Sequence, residues 1–168
     1  MALRILGVDP GVNITGFGII ESQAYGRFSC LHTSAVKTPK RLPLAQRLAI
    51  LYDAVQQVLT SHKPTRVAVE TVFTGRNPRS AIVLAHVRAA PLIAAARRGL
   101  PVAEYQPATI KRQVSGYGRA GKEQVKALVM RVLQVQDGLC QDCYDALAIA
   151  LCDYFSTGRH YFAKGPGL

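Results

Sequence analysis

Two short apolar runs, each stopping on an acid, constrain this chain more than any other feature. Leu3-Arg-Ile-Leu-Gly-Val-Asp9 fits a buried strand that ends on an Asp-Pro-Gly turn signal. Arg66-Val-Ala-Val-Glu70 fits another, and it follows a helical stretch. A strand that returns through a helix runs parallel to the strand it left. As neighbours, the two strands would bring Asp9 and Glu70 to one sheet edge, at the strand C-termini where open α/β sheets place their sites.

The intervening residues fill out that frame. Residues 14–22 and 27–35 read as two more strands of an antiparallel meander. Leu42-Pro43 opens an amphipathic helix to about Ser61, with Leu44, Leu48, Leu51, Val55 and Leu59 on one face. After a polar loop, Thr74 to Arg79, an Ala-rich helix runs to about Arg98, and Pro91 inside it is expected to break or kink it near Ala90. Leu100 to Tyr105 is a fifth strand. A short helix (Pro107 to Val114), a Gly-rich loop (Ser115 to Gly121), a helix from Lys122 to about Leu133 and a last helix from near Gln141 follow. The expectation is one α/β domain over residues 1–158. Its mixed five-stranded sheet has strands 1–3 antiparallel, strands 4 and 5 parallel to strand 1, and helices on both faces. Residues 159–168 are expected to form a flexible tail.

Charge narrows the partners. Twenty-one Lys and Arg against ten Asp and Glu leave +11 over 168 residues, a balance that draws polyanions such as nucleic acid. The longest purely apolar stretch, Ala89 to Ala96, is well short of a bilayer span, and the start reads as no secretory signal. A cytoplasmic protein is expected, with Cys30, Cys140, Cys143 and Cys152 as reduced thiols. Cys140-x-x-Cys143 has no second pair at ligand spacing, so packing near a helix start is a better reading than zinc.

Against this basic background the placement of acids is informative. Besides Asp9 and Glu70, the last helix carries Asp142 and Asp145, an i, i+3 pair on one face, with Asp142 in the first turn where the dipole favours negative charge. The other six carboxylates read as surface or turn residues. Four converging carboxylates would repel one another without a cation, and they suit hard divalent ions that act on phosphodiesters. Singly, Asp9 can be a turn former and Asp142 a helix cap. Asp9-Pro-Gly-Val-Asn-Ile-Thr15-Gly16 also resembles the start of actin-like ATPases, which duplicate their fold; a chain of this length has no second copy.

Leu6-Gly-Val-Asp9-Pro-Gly-Val-Asn-Ile-Thr15-Gly-Phe-Gly18, Val67-Ala-Val-Glu70-Thr-Val-Phe73 and Asp142-Cys-Tyr-Asp145-Ala-Leu-Ala-Ile-Ala150, in that order and spacing, resemble the RuvC family of Holliday-junction endonucleases. The resemblance spans roughly residues 3 to 155 and implies a ribonuclease-H-like fold. It places Asp9, Glu70, Asp142 and Asp145 as metal-binding catalytic acids for two Mg2+ or Mn2+ ions. It also implies symmetric nicks in two strands of like polarity with 5′-phosphate and 3′-hydroxyl ends, and RuvA and RuvB as partners. Thr71 stands where many relatives carry Gln, and Pro91 interrupts a helix that usually runs on.

Around the acids, candidate DNA contacts are Phe73, as a stacking wedge, with Arg76, Asn77 and Arg79 beside it. The second group is Lys111, Tyr117, Arg119 and Lys122, of which Lys111 and Lys122 match lysines important in the family. Lys122 is expected at the phosphate near the metals, as a catalytic residue. Arg97-Arg98 and Lys40-Arg41 read as solvated charge. Cutting two symmetry-related strands of a four-way junction calls for a homodimer, and the Ala-rich stretch Ser80 to Ala96 offers a face for it. A junction-binding protein without nuclease activity and a ribonuclease acting on RNA–DNA hybrids are the alternatives.

Overall fold

The structure is a computed structural model, and it describes residues 3–23, 26–71 and 78–157. Its strands are β1 (Arg4–Asp9), β2 (Ile14–Ser22), β3 (Phe28–Lys37), β4 (Arg66–Glu70) and β5 (Val102–Tyr105). Its helices are α1 (Leu44–His62), α2 (Pro78–Ala96), α3 (Pro107–Ser115), α4 (Lys122–Leu133) and α5 (Gln141–Ser156). The sheet order is β3-β2-β1-β4-β5, with β1–β2 and β2–β3 antiparallel and β1–β4 and β4–β5 parallel, as the sequence predicts.

Strand alternation divides the core into two layers. Leu6, Val8, Val67 and Val69 pack with Leu51, Val55 and Leu59 of α1 and Val87, Ala90 and Ala94 of α2. Ile5 and Ala68 face the other way, onto α5 and, beyond it, Val125 and Val129 of α4. The same alternation carries Asp9 and Glu70 to the α5 side. Helix α5 lies unusually close to the sheet because glycines face it. A Cβ on Gly7 would sit 2.0 Å from the Ala146 carbonyl oxygen, and one on Gly16 2.0 Å from that of Asp142. No side chain fits at either position, so these glycines set how deeply the Asp142/Asp145 helix seats.

Several expectations need correction. Of the break or kink expected at Pro91, the break does not occur: helix α2 is continuous through it. The proline costs one backbone hydrogen bond, but Pro91, Ala90, Ala94 and Ala95 are buried, and that packing holds the helix together. Arg79 lies in α2, not in the loop before it. By length and composition alone, Arg79–Ala96 is apolar enough to cross a membrane, with mean hydropathy 1.3. Its packing on α1 and the Arg88–Glu104 ion pair to β5 give it a place in a globular layer instead. Arg98 is no idle charge: its guanidinium donates to Gln56 Oε1 at 2.7 Å and Thr60 Oγ1 at 2.6 Å, tying the chain after α2 to α1. Cys140 and Cys143 are not free thiols but form a disulfide, because the first turn of α5 brings their Cα atoms to 5.2 Å. The proposed tail lies outside the described residues.

Candidate active site

The C-terminal ends of β1 and β4 deliver Asp9 and Glu70 side by side, one residue past the Val8–Val69 register pair. Helix α5 crosses above them and supplies Asp145. These three carboxylates share a cavity of about 230 Å3 with Lys111 of α3 and Lys122, the first residue of α4. Ile110, Val125, Ala148 and Ile149 form its apolar wall. Asp142 is near enough for its charge to act on both Asp9 and Asp145, yet it does not line the cavity. The sequence thus places all four acids in one neighbourhood, three of them around one space.

Electrostatics show how unfavourable this assembly is when it stands alone. Burial, followed by the charges of Glu70, Asp145 and Asp142, pushes the Asp9 carboxyl up to about 8. Glu70, hydrogen-bonded to Asp9, is raised by burial and by Asp145, while Asp9, Lys122 and Lys111 pull it back. Asp145 is raised by burial too. It is partly relieved by Lys122 at 3.6 Å and by the Gln141 amide, which donates to its Oδ1 at 3.0 Å. Three buried carboxyls, each pushed toward its neutral form, mark a site short of positive charge.

The donor set fits a hard divalent cation: among the described residues that line the cavity the acidic donors are carboxylates, with no Cys, His or Met. Among the described residues, however, no three such side chains already surround a single point as a closed cage. A cation would have to draw the acids in from the cavity walls. Asp9, Glu70 and Asp145 are the residues placed to hold it, with Asp142 beside them.

Of the candidate DNA contacts, Lys111 and Lys122 sit at the cavity. Tyr117, 60% exposed, and exposed Arg119 lie on the loop joining the two helices that supply those lysines. Ser115 orders that loop, its hydroxyl oxygen accepting from the Tyr117 N–H at 3.2 Å. Arg79 is exposed in the first turn of α2. Phe73, Arg76 and Asn77 lie outside the described residues.

Three features escape the sequence reading. Gln141 supports Asp145. Arg47 of α1 clamps the turn after Asp9, its Nε donating to Thr38 Oγ1 at 3.2 Å and its Nη2 to Asn13 Oδ1 at 3.4 Å and to the Val12 carbonyl. Asp153, read as a surface acid, is fully buried on α5; it accepts from Arg66 Nη2 and from the Tyr105 hydroxyl, both at 2.8 Å. Arg66 begins β4 and Tyr105 pairs in register with Glu70, so this network fastens α5 to β4, which carries Glu70, and to its neighbour β5. A carboxylate about two turns beyond Asp145 on the same helix was the available signal.

An acid-lined cavity at the strand ends of a β3-β2-β1-β4-β5 sheet defines a ribonuclease-H-like α/β protein. The profile of the Crossover junction endodeoxyribonuclease RuvC family matches residues 5–153, and the chain belongs to that family. It is 43% identical over 150 residues to the RuvC of Halorhodospira halophila, covering 89% of this chain and 88% of that one. Identity to the Myxococcus xanthus RuvC is 44% over 159 residues, covering 94% and 82% respectively. The solved structure of Thermus thermophilus RuvC in complex with Holliday junction substrate superposes with a TM-score of 0.86 at 32% identity, over 92% of this chain and 94% of that one.

Proposed function

We propose that this chain is a divalent-metal-dependent endonuclease that resolves four-way DNA junctions, with Asp9, Glu70, Asp142 and Asp145 as its metal-binding acids. The observation that carries the reading is the shared cavity of Asp9, Glu70 and Asp145, faced by two lysines, in a chain of the RuvC family. Two Mg2+ or Mn2+ ions held by these acids would supply Lewis acidity for attack of water on phosphorus and for departure of the 3′ oxygen.

The chain's own residues do the rest. Asp9 and Glu70, whose carboxyls are held toward the neutral form by burial and by neighbouring acids, would both serve as ligands once ionised. Lys122, 70% exposed at the cavity mouth, exchanges its Asp145 partner for a phosphate oxygen and steadies the scissile group. Lys111 holds the neighbouring backbone, and Arg79, Tyr117 and Arg119 extend the contact along the strand. Phe73, with Arg76 and Asn77, stacks at the opened branch point. The +11 charge supplies affinity that falls steeply with salt. The products carry 5′-phosphate and 3′-hydroxyl ends.

Paired nicks in strands of like polarity need two sites, so the working form is a homodimer. Helix α2 supports this: Ile82 and Ile93 are 59% and 52% exposed on it. RuvA and RuvB would deliver the junction. The test is incubation with a synthetic four-way junction and Mg2+ or Mn2+, alongside linear duplex and RNA–DNA hybrid. Symmetric nicking of the junction alone is expected, and Asp9→Asn should bind it without cutting. Cleavage by that variant at the wild-type rate would overturn the assignment.

A further inference from the structure

The Cys140–Cys143 pair brackets Asp142, and nothing in the proposed nuclease chemistry uses it. Cys140 is exposed and stands at the N-cap position of α5, its side chain making no capping bond; Cys143, one turn on, is 5% exposed. The turn itself brings the two together, with the Cys143 and Tyr144 N–H groups donating to the Cys140 carbonyl at 3.0 and 3.2 Å. The segment before it is anchored: the Tyr144 hydroxyl donates to the Gln136 carbonyl at 3.3 Å and meets Asp137 Oδ1 at 3.2 Å, and Lys126 holds Asp137 at 2.9 Å. On the other side the Asp142 carbonyl is pressed against Gly16. A closed sulfur ring therefore spans Gln141, which supports Asp145, and Asp142, the one acid of the four that stands off the cavity.

We infer that Cys140 and Cys143 form a thiol–disulfide exchange site for low-molecular-weight disulfides and dithiols. Its disulfide form holds Asp142 away from the cavity, and its dithiol form frees the first turn of α5 for metal binding. This rests on the nuclease reading above. The exchange balances without further reagents. The exposed Cys140 thiolate attacks one sulfur of a small disulfide such as oxidised glutathione, releasing one thiol and leaving a mixed disulfide. Cys143 gives up its proton and attacks the Cys140 sulfur, releasing the second thiol. Two protein thiols have then been oxidised and one small disulfide reduced to two thiols; a dithiol reverses both steps. An exposed attacking sulfur and a buried resolving one, at Cα distance 5.2 Å, are the arrangement this exchange requires.

The test compares the full chain equilibrated with oxidised glutathione against the same protein treated with dithiothreitol. Intact mass checks the loss of two hydrogens. Mn2+ affinity, junction binding without metal, and junction cleavage are measured on both. The oxidised form should bind Mn2+ and cleave roughly tenfold more weakly, while binding the junction equally and recovering fully on reduction. Cys140→Ser should be indifferent to oxidant, and a Cys30→Ser, Cys152→Ala chain should respond as the wild type does. Equal Mn2+ affinity in the two forms, or an unchanged response in Cys140→Ser, would overturn the inference. A reduced protein that binds Mn2+ but cuts no junction would instead sink the nuclease reading, with the Mn2+ arm still deciding the redox one.

Discussion

Replacing Asp9 with Asn should stabilise the metal-free protein while abolishing cleavage, and the size of the gain follows from the site. In the unfolded chain Asp9 loses its proton near 3.8; in the folded protein it keeps it until about 8. Below pH 4 both states carry the proton and the linkage contributes nothing against folding. Between 4 and 8 the unfolded chain ionises first, so each pH unit shifts the balance toward unfolding by about 1.4 kcal/mol. At pH 7.5 the accumulated cost is on the order of 5 kcal/mol as an upper bound. Glu70 is raised by burial and by Asp145 as well, so part of that cost belongs to Glu70 and stays with it. The Asn amide keeps a donor toward Glu70 and removes a charge, for an expected gain of roughly 2 kcal/mol, or about 4–8 °C in a chain of this size. Thermal melts in EDTA at pH 5, 6, 7 and 8 are the assay. Wild-type stability should fall across that range and the variant's should fall less, so the two curves separate toward pH 8. A wild type whose stability rises from pH 5 to 8, or a variant no more stable at pH 8, would refute the reasoning.

The remaining expectations concern the helix that carries two of the acids and the lysine that faces them. Arg66→Ala strands the fully buried Asp153 carboxylate and should cost about 3–5 kcal/mol in denaturant melts, whereas Tyr105→Phe removes one hydrogen bond and should cost about 1–2 kcal/mol. Gly16→Ala places a methyl 2.0 Å from the Asp142 carbonyl; it should lose about 3 kcal/mol and all cleavage, and near-normal activity would show that α5 is not seated as described. Lys122→Ala should weaken junction binding uniformly across sequences and reduce the slope of log K against log salt by about one, measured by fluorescence anisotropy.

Much of the fold was legible because local signals agreed. The apolar runs at β1 and β4 and the Asp-Pro-Gly turn point to one topology, and Asp9 and Glu70 inherit their adjacency from it. What sequence could not supply depends on tertiary distance. Asp153 looks like any polar helix residue until Arg66 and Tyr105 are brought to it across the sheet. Pro91 is a helix breaker by local rules, and only burial of its helix overrides them. The Cys140–Cys143 spacing was visible, but expecting reduced thiols from compartment alone ignored that a helix's first turn already holds the two at bonding range. Arg98 reads as solvated charge, because its partners Gln56 and Thr60 lie far away in the chain.

The claim underneath all of this is that separated acids fold into one cation pocket. A crystal of the protein soaked in Mn2+, with anomalous scattering recorded, tests it most directly. Cation density is expected in the cavity, in coordination contact with Asp9, Glu70 and Asp145 and lost in a Glu70→Gln crystal. A map with no cation there, or with Mn2+ bound only at sites remote from Glu70, would contradict it.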